Sequence, residues 1–205
     1  MKLIKCECCG GNQLKKNSGN SMICSFCGSI YILDENETIM SKEITDAKVM
    51  SLFLDAEKCR KTKNHIDEMQ YLIKAVELEE NRAIAWVKLG RAYRESNLLD
   101  QAIDCYEKAI EVDSQYPPSY TNIGAVYYIK KEYESAIEFY EKGLSLFDRC
   151  DKDYLAALAN YGMALAKMGD KKKAAECINQ AERMGYTNAS KARKEAGLSL
   201  FTKFF

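Results

Sequence analysis

A motif of aromatic and small residues that begins at Trp86 begins again at Tyr120, and this period constrains the fold more than any other feature. The motif reads W-x2-L-G-x2-Y from Trp86 and Y-x2-I-G-x2-Y from Tyr120. Further positions repeat with the same spacing: Ala102 and Ala136, Tyr106 and Tyr140, and Ala109 and Gly143. A period of this length predicts pairs of short helices that stack on their neighbours, so binding is the first functional hypothesis.

The register of this motif predicts four helix pairs, at residues 49–82, 83–116, 117–150 and 155–188. A four-residue insertion, 151–154, precedes the last unit. The first unit fits more loosely, because Glu68 occupies a slot where the other three units have alanine. A terminal unit is expected to be atypical, since one of its faces does not meet another repeat.

Small residues at fixed slots predict where helices approach closely. Gly90, Gly124 and Gly162 share one such slot, where a larger side chain would separate the helices. Turns inside the pairs are predicted at Asn97, Lys131 and Gly169. Both prolines, Pro117 and Pro118, stand at one junction between pairs, where a helix must be interrupted.

Two Cys-x2-Cys pairs stand near the N-terminus, at positions 6–9 and 24–27, and a glycine follows each pair. Zinc prefers four thiolates in a tetrahedron, and two such turns supply two thiolates each. Short β-hairpins are predicted around them. A segment of about 30 residues buries too little apolar surface to fold alone, so a metal would dominate its stability.

Residues 1–33 resemble the zinc-ribbon family in both cysteine pairs. The resemblance implies one structural Zn2+ held by Cys6, Cys9, Cys24 and Cys27. Cys8 is interpreted as a spare thiol. Redox chemistry also uses Cys-x2-Cys pairs and is the alternative, which is disfavoured because neither pair precedes a helical pattern. His65, the only histidine, is expected in a solvated loop.

Over residues 49–188 the repeat motif resembles the tetratricopeptide-repeat family. The resemblance implies a mostly α fold, an α-solenoid of about four helix pairs with a concave groove lined by the first helix of each pair. The family's late proline is absent from the first three units, where Glu80, Ser114 and Asp148 stand. The predicted domains are a zinc ribbon at 1–33, a linker at 34–46, the repeats at 47–188, and a capping helix with an apolar tail at 189–205.

The groove implied by this resemblance has a basic end and an apolar end. Its candidate partner-binding residues are Arg60, Arg91, Arg94, Asn122, Tyr128, Asn160 and Met163. The arginines would pair with acidic groups of a protein segment, and the two asparagines would hold its backbone. The alternative is that the arginines form a solvated face with neighbouring glutamates. The family's clamp for chaperone tails is matched only at Asn122, so binding of such tails is disfavoured.

Two segments outside the repeats carry expectations of their own. A helix is expected to begin near Thr45 or Asp46, after a polar linker. Near the C-terminus, a helix over 188–196 is expected to present Lys191, Arg193, Lys194 and Glu195 to solvent. Five large apolar residues follow between Leu198 and Phe205. Packing on the last helix pair is the leading interpretation, and docking in a neighbouring groove or on a membrane surface are the alternatives.

Composition limits the functional classes. The 30 basic and 30 acidic residues cancel, so no overall field attracts nucleic acid or anionic lipid. No run approaches the roughly 18 apolar residues of a membrane span. Five of the nine cysteines lie between positions 6 and 27, which is unlike a secreted disulfide framework and indicates a cytoplasmic protein. No nucleophile with a base, phosphate loop or paired-carboxylate motif is present in the sequence.

The sequence therefore predicts a non-catalytic adaptor that binds a protein or peptide in the groove and carries a structural zinc ribbon. One alternative is a nucleic-acid-associated factor, supported by a mildly basic ribbon and weakened by the lack of an aromatic stacking platform. Another is a zinc- or redox-responsive regulator that uses Cys8. The partner and the oligomeric state do not follow from the sequence.

Overall fold

A computed structural model describes residues 14–16, 21–24, 30–32, 35–147 and 152–198, with side chains from residue 42 onward. The chain divides into two compact units, Met1–Ser51 and Leu52–Phe205. Most of the predicted repeat region lies in the second unit.

The first unit contains an antiparallel sheet of three strands in the order β1-β2-β3. The strands are Leu14–Lys16 (β1), Ser21–Cys24 (β2) and Ile30–Ile32 (β3). Lys15 pairs with Ile23 across β1 and β2, and Met22 pairs with Tyr31 across β2 and β3. Cys24 ends β2. The other expected zinc ligands, Cys6, Cys9 and Cys27, and the spare thiol of Cys8 lie outside the described residues. The zinc ribbon therefore stays a prediction.

The other regular elements of the described chain are helices. They are α1 (Glu35–Lys61), α2 (His65–Leu78), α3 (Ala83–Glu95), α4 (Leu99–Val112), α5 (Pro117–Lys130), α6 (Tyr133–Leu146), α7 (Lys152–Lys167), α8 (Lys171–Arg183) and α9 (Ala189–Glu195). Helix α3 contacts α4, α5 contacts α6 and α7 contacts α8, and these are the second, third and fourth pairs. Helices α1 and α2, which precede them in the chain, are called the first pair. Pro117 and Pro118 are the first two residues of α5, where a missing backbone N–H leaves no hydrogen bond unmade.

The expected helix start near Thr45 is wrong, because α1 begins at Glu35 and includes most of the predicted linker. Residues 35–46 contain no glycine or proline, and several are good helix formers. Extending an existing helix costs far less than nucleating one, so this polar segment continues the helix that follows it. Amphipathic patterning, on which the linker prediction rests, is not required for such an extension.

One backbone turn recurs inside every helix pair. Lys63, Asn97 and Lys131 have φ of 58°, 60° and 66°, and Gly169 has φ of 95°. In each turn the next N–H bonds to a carbonyl five residues earlier, as from Glu132 to Tyr127. This is the Schellman ending of a helix, which needs one residue in the left-handed region. The predicted turn positions Asn97, Lys131 and Gly169 are confirmed.

The glycine slot brings the two helices of a pair into contact. A Cβ at Gly90 would lie 2.6 Å from a ring carbon of Tyr106, and one at Gly124 would lie 3.0 Å from the ring of Tyr140. Both rings are at most 1% exposed. The alanines opposite, Ala102, Ala136 and Ala174, are fully buried. Volume at these slots is therefore limited by the aromatic core.

In the second and third repeats, a second slot joins the first helix to the loop before it by a hydrogen bond. The indole of Trp86 donates to the carbonyl of Glu80 at 2.7 Å, and the hydroxyl of Tyr120 donates to the carbonyl of Ser114 at 3.0 Å. Donor and acceptor are six residues apart in both cases. Glu80 and Ser114 occupy the slot where the family has its late proline, so these hydrogen bonds fix the helix boundary that proline would otherwise mark.

The insertion before the last unit adds length to α7. Because α7 begins at Lys152, three of the four inserted residues are helical. Tyr154 is 7% exposed, and its ring packs edge-on against Phe147 at a centroid distance of 6.2 Å. The inserted residues therefore extend the core of the fourth pair.

Helix α9 covers the end of the repeats. The expectation that Arg193 faces solvent is wrong, because its side chain is 3% exposed. Its guanidinium donates to the side chains of Asn179 and Glu182 on α8. Its other terminal nitrogen, Nη1, is buried without a hydrogen-bond partner among the described residues, and the alanines of α9 belong to the same core. Leu198 is 8% exposed in the same core, and the apolar tail beyond it, residues 199–205, lies outside the described residues.

Candidate partner-binding site

The first helices of the second, third and fourth pairs line one pocket of about 360 Å3. Its walls are Ile84, Val87, Lys88, Arg91 and Arg94 of α3, Tyr116, Pro118, Thr121, Asn122 and Ala125 at α5, and Asp153, Ala156, Ala157 and Asn160 of α7. Of the predicted site residues, Arg91, Arg94, Asn122 and Asn160 line this pocket. We refer to it as the central pocket.

Helix α3 supplies three cations to the central pocket. Lys88, Arg91 and Arg94 are spaced by three residues, which places them along one side of the helix. The ammonium of Lys88 lies 5.2 Å from the centroid of the Phe53 ring. Burial, followed by repulsion from Arg91, lowers the pKa of Lys88. Its charge is therefore held in a site that hydrates it poorly.

Glu57 lies next to two arginines of the expected basic cluster, Arg60 and Arg91. Arg60 donates two hydrogen bonds to Glu57, at 2.6 and 3.0 Å, and these lower the pKa of the glutamate. Arg91 lies 3.9 Å from Glu57 and 3.9 Å from Glu95. Arg60 is not among the residues that line the central pocket. Arg60 is therefore paired with a neighbouring glutamate, as expected if the arginines form a solvated face instead of a binding site.

Asn122 is engaged within the repeats. Its amide oxygen accepts from Arg94 at 2.8 Å, and its amide nitrogen donates to the carbonyl of Pro118 at 2.7 Å. This contact joins the second pair to the third and fixes the guanidinium of Arg94 at the pocket wall. Asn160 holds the same slot in the fourth pair, and its amide makes no side-chain hydrogen bond among the described residues.

The two apolar candidates lie beyond the central pocket. Met163 is 9% exposed and belongs to the core of the last pairs. With Asn160 it also lines a second depression of about 170 Å3, together with Tyr186, Asn188, Lys191, Ala192 and Glu195. Tyr128 is half-buried and packs edge-on against Tyr133, at a centroid distance of 5.6 Å. Asn160 is therefore the residue shared by both depressions.

Sequence reasoning misses Lys88 and Asp153. Lys88 lies three residues before Arg91, so the helical period that selects the arginines could have found it. Asp153 belongs to the insertion, which the repeat pattern presents as a break between units and not as part of α7.

The buried thiols of the repeats are unsuited to nucleophilic chemistry. Burial raises the pKa of Cys105 to about 12 and that of Cys177 to about 11. A thiol acts as a nucleophile through its thiolate, which both sites disfavour. These cysteines are core residues.

Most of the helices that line the central pocket match known protein families. A family model described as "TPR repeat" matches residues 90–129, and one described as "Tetratricopeptide repeat" matches residues 115–185. Residues 90–185 are tetratricopeptide repeats. The central pocket is thus formed largely by repeats of this family. A search of curated proteins gives no match.

Solved structures resemble these tetratricopeptide repeats in fold. PilF of Pseudomonas aeruginosa aligns with a TM-score of 0.66 and 20% identity, over 74% of this chain and 67% of its own. MamA aligns with a TM-score of 0.56 and 24% identity, over 75% of this chain and 86% of its own. YrrB, a TPR protein with an unusual peptide-binding site, aligns with a TM-score of 0.53 and 27% identity, over 62% of each chain.

Among the described helices, none is both long and apolar enough to cross a membrane.

Proposed function

We propose that this protein is a non-catalytic adaptor whose central pocket binds an extended acidic segment of another protein. The tetratricopeptide-repeat fold supports a role in protein interaction. YrrB, which shares 27% identity with this chain, carries a peptide-binding site, and this supports a peptide as the ligand class.

The charge of the central pocket is the observation that carries this proposal. Three cations from α3 line it, against one carboxylate, that of Asp153. Lys88 is partly desolvated there, so a carboxylate from a partner would stabilise its charged form. Arg94 is fixed by Asn122, so its guanidinium is ordered before a partner arrives and loses little freedom on binding.

Asn160 supplies a different kind of contact. An unengaged side-chain amide can donate to a peptide carbonyl and accept from a peptide N–H at the same time. Asn160 stands between the central pocket and the second depression, so a segment lying along both would pass it. We therefore assign Asn160 to backbone binding and the cations of α3 to acidic side chains.

The test is selection of a phage-displayed library of random dodecamer peptides on the immobilised full chain. We expect enrichment of peptides rich in Asp and Glu. Synthetic copies should bind at least about tenfold more weakly to a Lys88→Glu, Arg94→Glu double variant. The matched control is Lys171→Glu with Lys172→Glu, which makes the same charge change on the exposed face of α8. Selection without acidic enrichment, or equal affinity for both double variants, would overturn the proposal.

We also propose that the cysteine pairs of the first unit hold one structural Zn2+, through Cys6, Cys9, Cys24 and Cys27. The spacing of the two pairs supports this assignment. Elemental analysis of the purified chain should find one zinc ion per chain fewer in a Cys24→Ser, Cys27→Ser variant than in the unmodified chain, and no loss in Cys8→Ser. A zinc content of the first variant equal to that of the unmodified chain would exclude these ligands.

A further inference from the structure

A second cluster of polar groups lies where the first helix pair meets the second, and Arg91 of the central pocket is 3.9 Å from one of its members, Glu95. It consists of His65, Glu68 and Glu95, each of which places one ligand atom within 4.8 Å of the others. His65 is the first residue of α2, and Glu68 lies one turn further along that helix. Glu95 is the last residue of α3. His65 is therefore not the loop residue expected from the sequence.

The inner atoms of this cluster have no hydrogen bonds. Glu68 is 1% exposed, and its Oε2 atom is buried with no hydrogen-bond partner in the described part of the chain. The same holds for Nδ1 of His65, which lies 3.4 Å from that oxygen. Buried polar atoms without partners are rare in folded proteins, because their loss of hydration is not compensated. Two such atoms that face each other at 3.4 Å are candidate ligands for an ion.

Packing does not explain Glu68. The other three units hold Ala102, Ala136 and Ala174 in this slot, and all three side chains are fully buried. An alanine would satisfy the same space between helices. Burial and repulsion from Glu95 raise the pKa of Glu68, so the unliganded carboxylate is unfavourable where it stands.

We propose that His65, Glu68 and Glu95 bind a divalent transition-metal ion, with Zn2+ as the probe of choice. The donors are one imidazole nitrogen and two carboxylates, a set that suits zinc and its first-row neighbours better than calcium or magnesium. Ligand atoms about 2.1 Å from a tetrahedral ion lie about 3.4 Å apart. The separation of His65 Nδ1 and Glu68 Oε2 matches that value.

The third ligand can adjust to the ion. Glu95 is exposed at the end of α3, so its carboxylate can close on a metal held by the buried pair. Its present neighbour is Arg91, whose Nε lies 3.9 Å away. That distance is too long for a hydrogen bond, so little is lost when the carboxylate moves. Water would complete the shell of the ion.

The experiment uses the untagged full chain, because His65 is then the only histidine. The cysteine thiolates are first saturated with Zn2+, and further Zn2+ is added while the imidazole C–H resonances of His65 are followed by NMR. We expect these resonances to shift and to stop shifting at one additional ion per chain. We also expect this additional ion to raise the Tm of the repeats.

Glu68→Ala is the decisive variant, because it introduces the residue that the other units already carry and so should fold. We expect it to weaken binding of the additional ion at least about tenfold, through loss of one of three ligands. Glu77→Ala, an exposed glutamate on the same helix, is the matched control and should bind as the unmodified chain does. A titration in which Zn2+ leaves the His65 resonances in place would overturn the proposal, since the pair would then be an ion pair only. Equal shifts in Glu68→Ala would overturn it as well.

Discussion

At the scale of single residues, two buried tyrosines of the repeat motif differ in what their hydroxyls do. The hydroxyl of Tyr120 donates to the carbonyl of Ser114, whereas the hydroxyl of Tyr106 is buried with no hydrogen-bond partner among the described residues. Burial raises the pKa of Tyr106 to about 12, which keeps the phenol neutral. One hydroxyl therefore stabilises its repeat, and the other only fills space.

This difference predicts opposite effects of the same substitution. Tyr106→Phe removes an unsatisfied group and should leave the free energy of unfolding unchanged or raise it by up to about 1 kcal/mol. Tyr120→Phe removes a hydrogen bond and should lower it by about 0.5–1.5 kcal/mol. Urea denaturation of the two variants checks the prediction. A clear loss of stability in Tyr106→Phe would show that its hydroxyl is bonded.

Lys88 gives a prediction about pH. Its pKa is lowered in the folded state, so between the folded pKa and about 10.5 the unfolded chain binds more protons, and stability rises with pH across that window. Lys88→Met should therefore unfold at higher urea than the unmodified chain at pH 7. The gap should close as the pH rises through the folded pKa toward about 10.5, the ordinary lysine value. Lys172→Met, at an exposed site, is the control and should show no such trend.

At the scale of elements, the turn inside each helix pair uses a left-handed residue, but only the fourth pair uses glycine. Lys131 holds φ of 66° in the third pair. A side chain in this region costs roughly 1 kcal/mol relative to glycine. Lys131→Gly should therefore raise the free energy of unfolding by about that amount, as measured by urea denaturation. Glu138→Gly, at an exposed interior position of α6, is the control and should lower it by about 1 kcal/mol.

Helix α9 depends on one buried side chain. Arg193 donates to Asn179 and Glu182, so Arg193→Met leaves their acceptors without this donor. We expect stability to fall by about 2–3 kcal/mol, with faster amide exchange in α9. Lys191→Met, at a side chain that is 75% exposed, should change stability by no more than about 0.5 kcal/mol. Unchanged exchange in Arg193→Met would mean that the alanines alone hold the helix.

The helices and turns could be predicted because one period governs them. The slot of Gly90 and Gly124 requires a small residue, because an aromatic ring of the partner helix recurs beside it. Asn97 and Lys131 recur at the turns between the two helices of a pair. The start of α1 has no such signal, since a polar segment can continue a helix without an apolar face. The burial of Arg193 escapes prediction for the opposite reason, because a charged residue on a short helix is usually solvated.

At the scale of the whole molecule, the sites depend on contacts between units that the period does not encode. The sequence groups Arg60 with Arg91 and Arg94 in one basic cluster, yet Arg60 donates two hydrogen bonds to Glu57 of its own helix. The Glu68 slot is visibly atypical in the sequence, but Glu95 belongs to the next helix pair and no motif links the two. Side-chain pairing between helices follows from their packing, which a single sequence shows only indirectly.

If this protein is an adaptor of the proposed kind, its partner binds the face of the repeats that contains the central pocket. The most direct measurement is NMR mapping of the full chain with an acidic peptide obtained from the library selection. We predict that the amide shifts of α3, α5 and α7 change, with the largest changes near Lys88, Arg94 and Asn160. Changes confined to α4, α6 and α8, or to residues 1–51, would contradict the account.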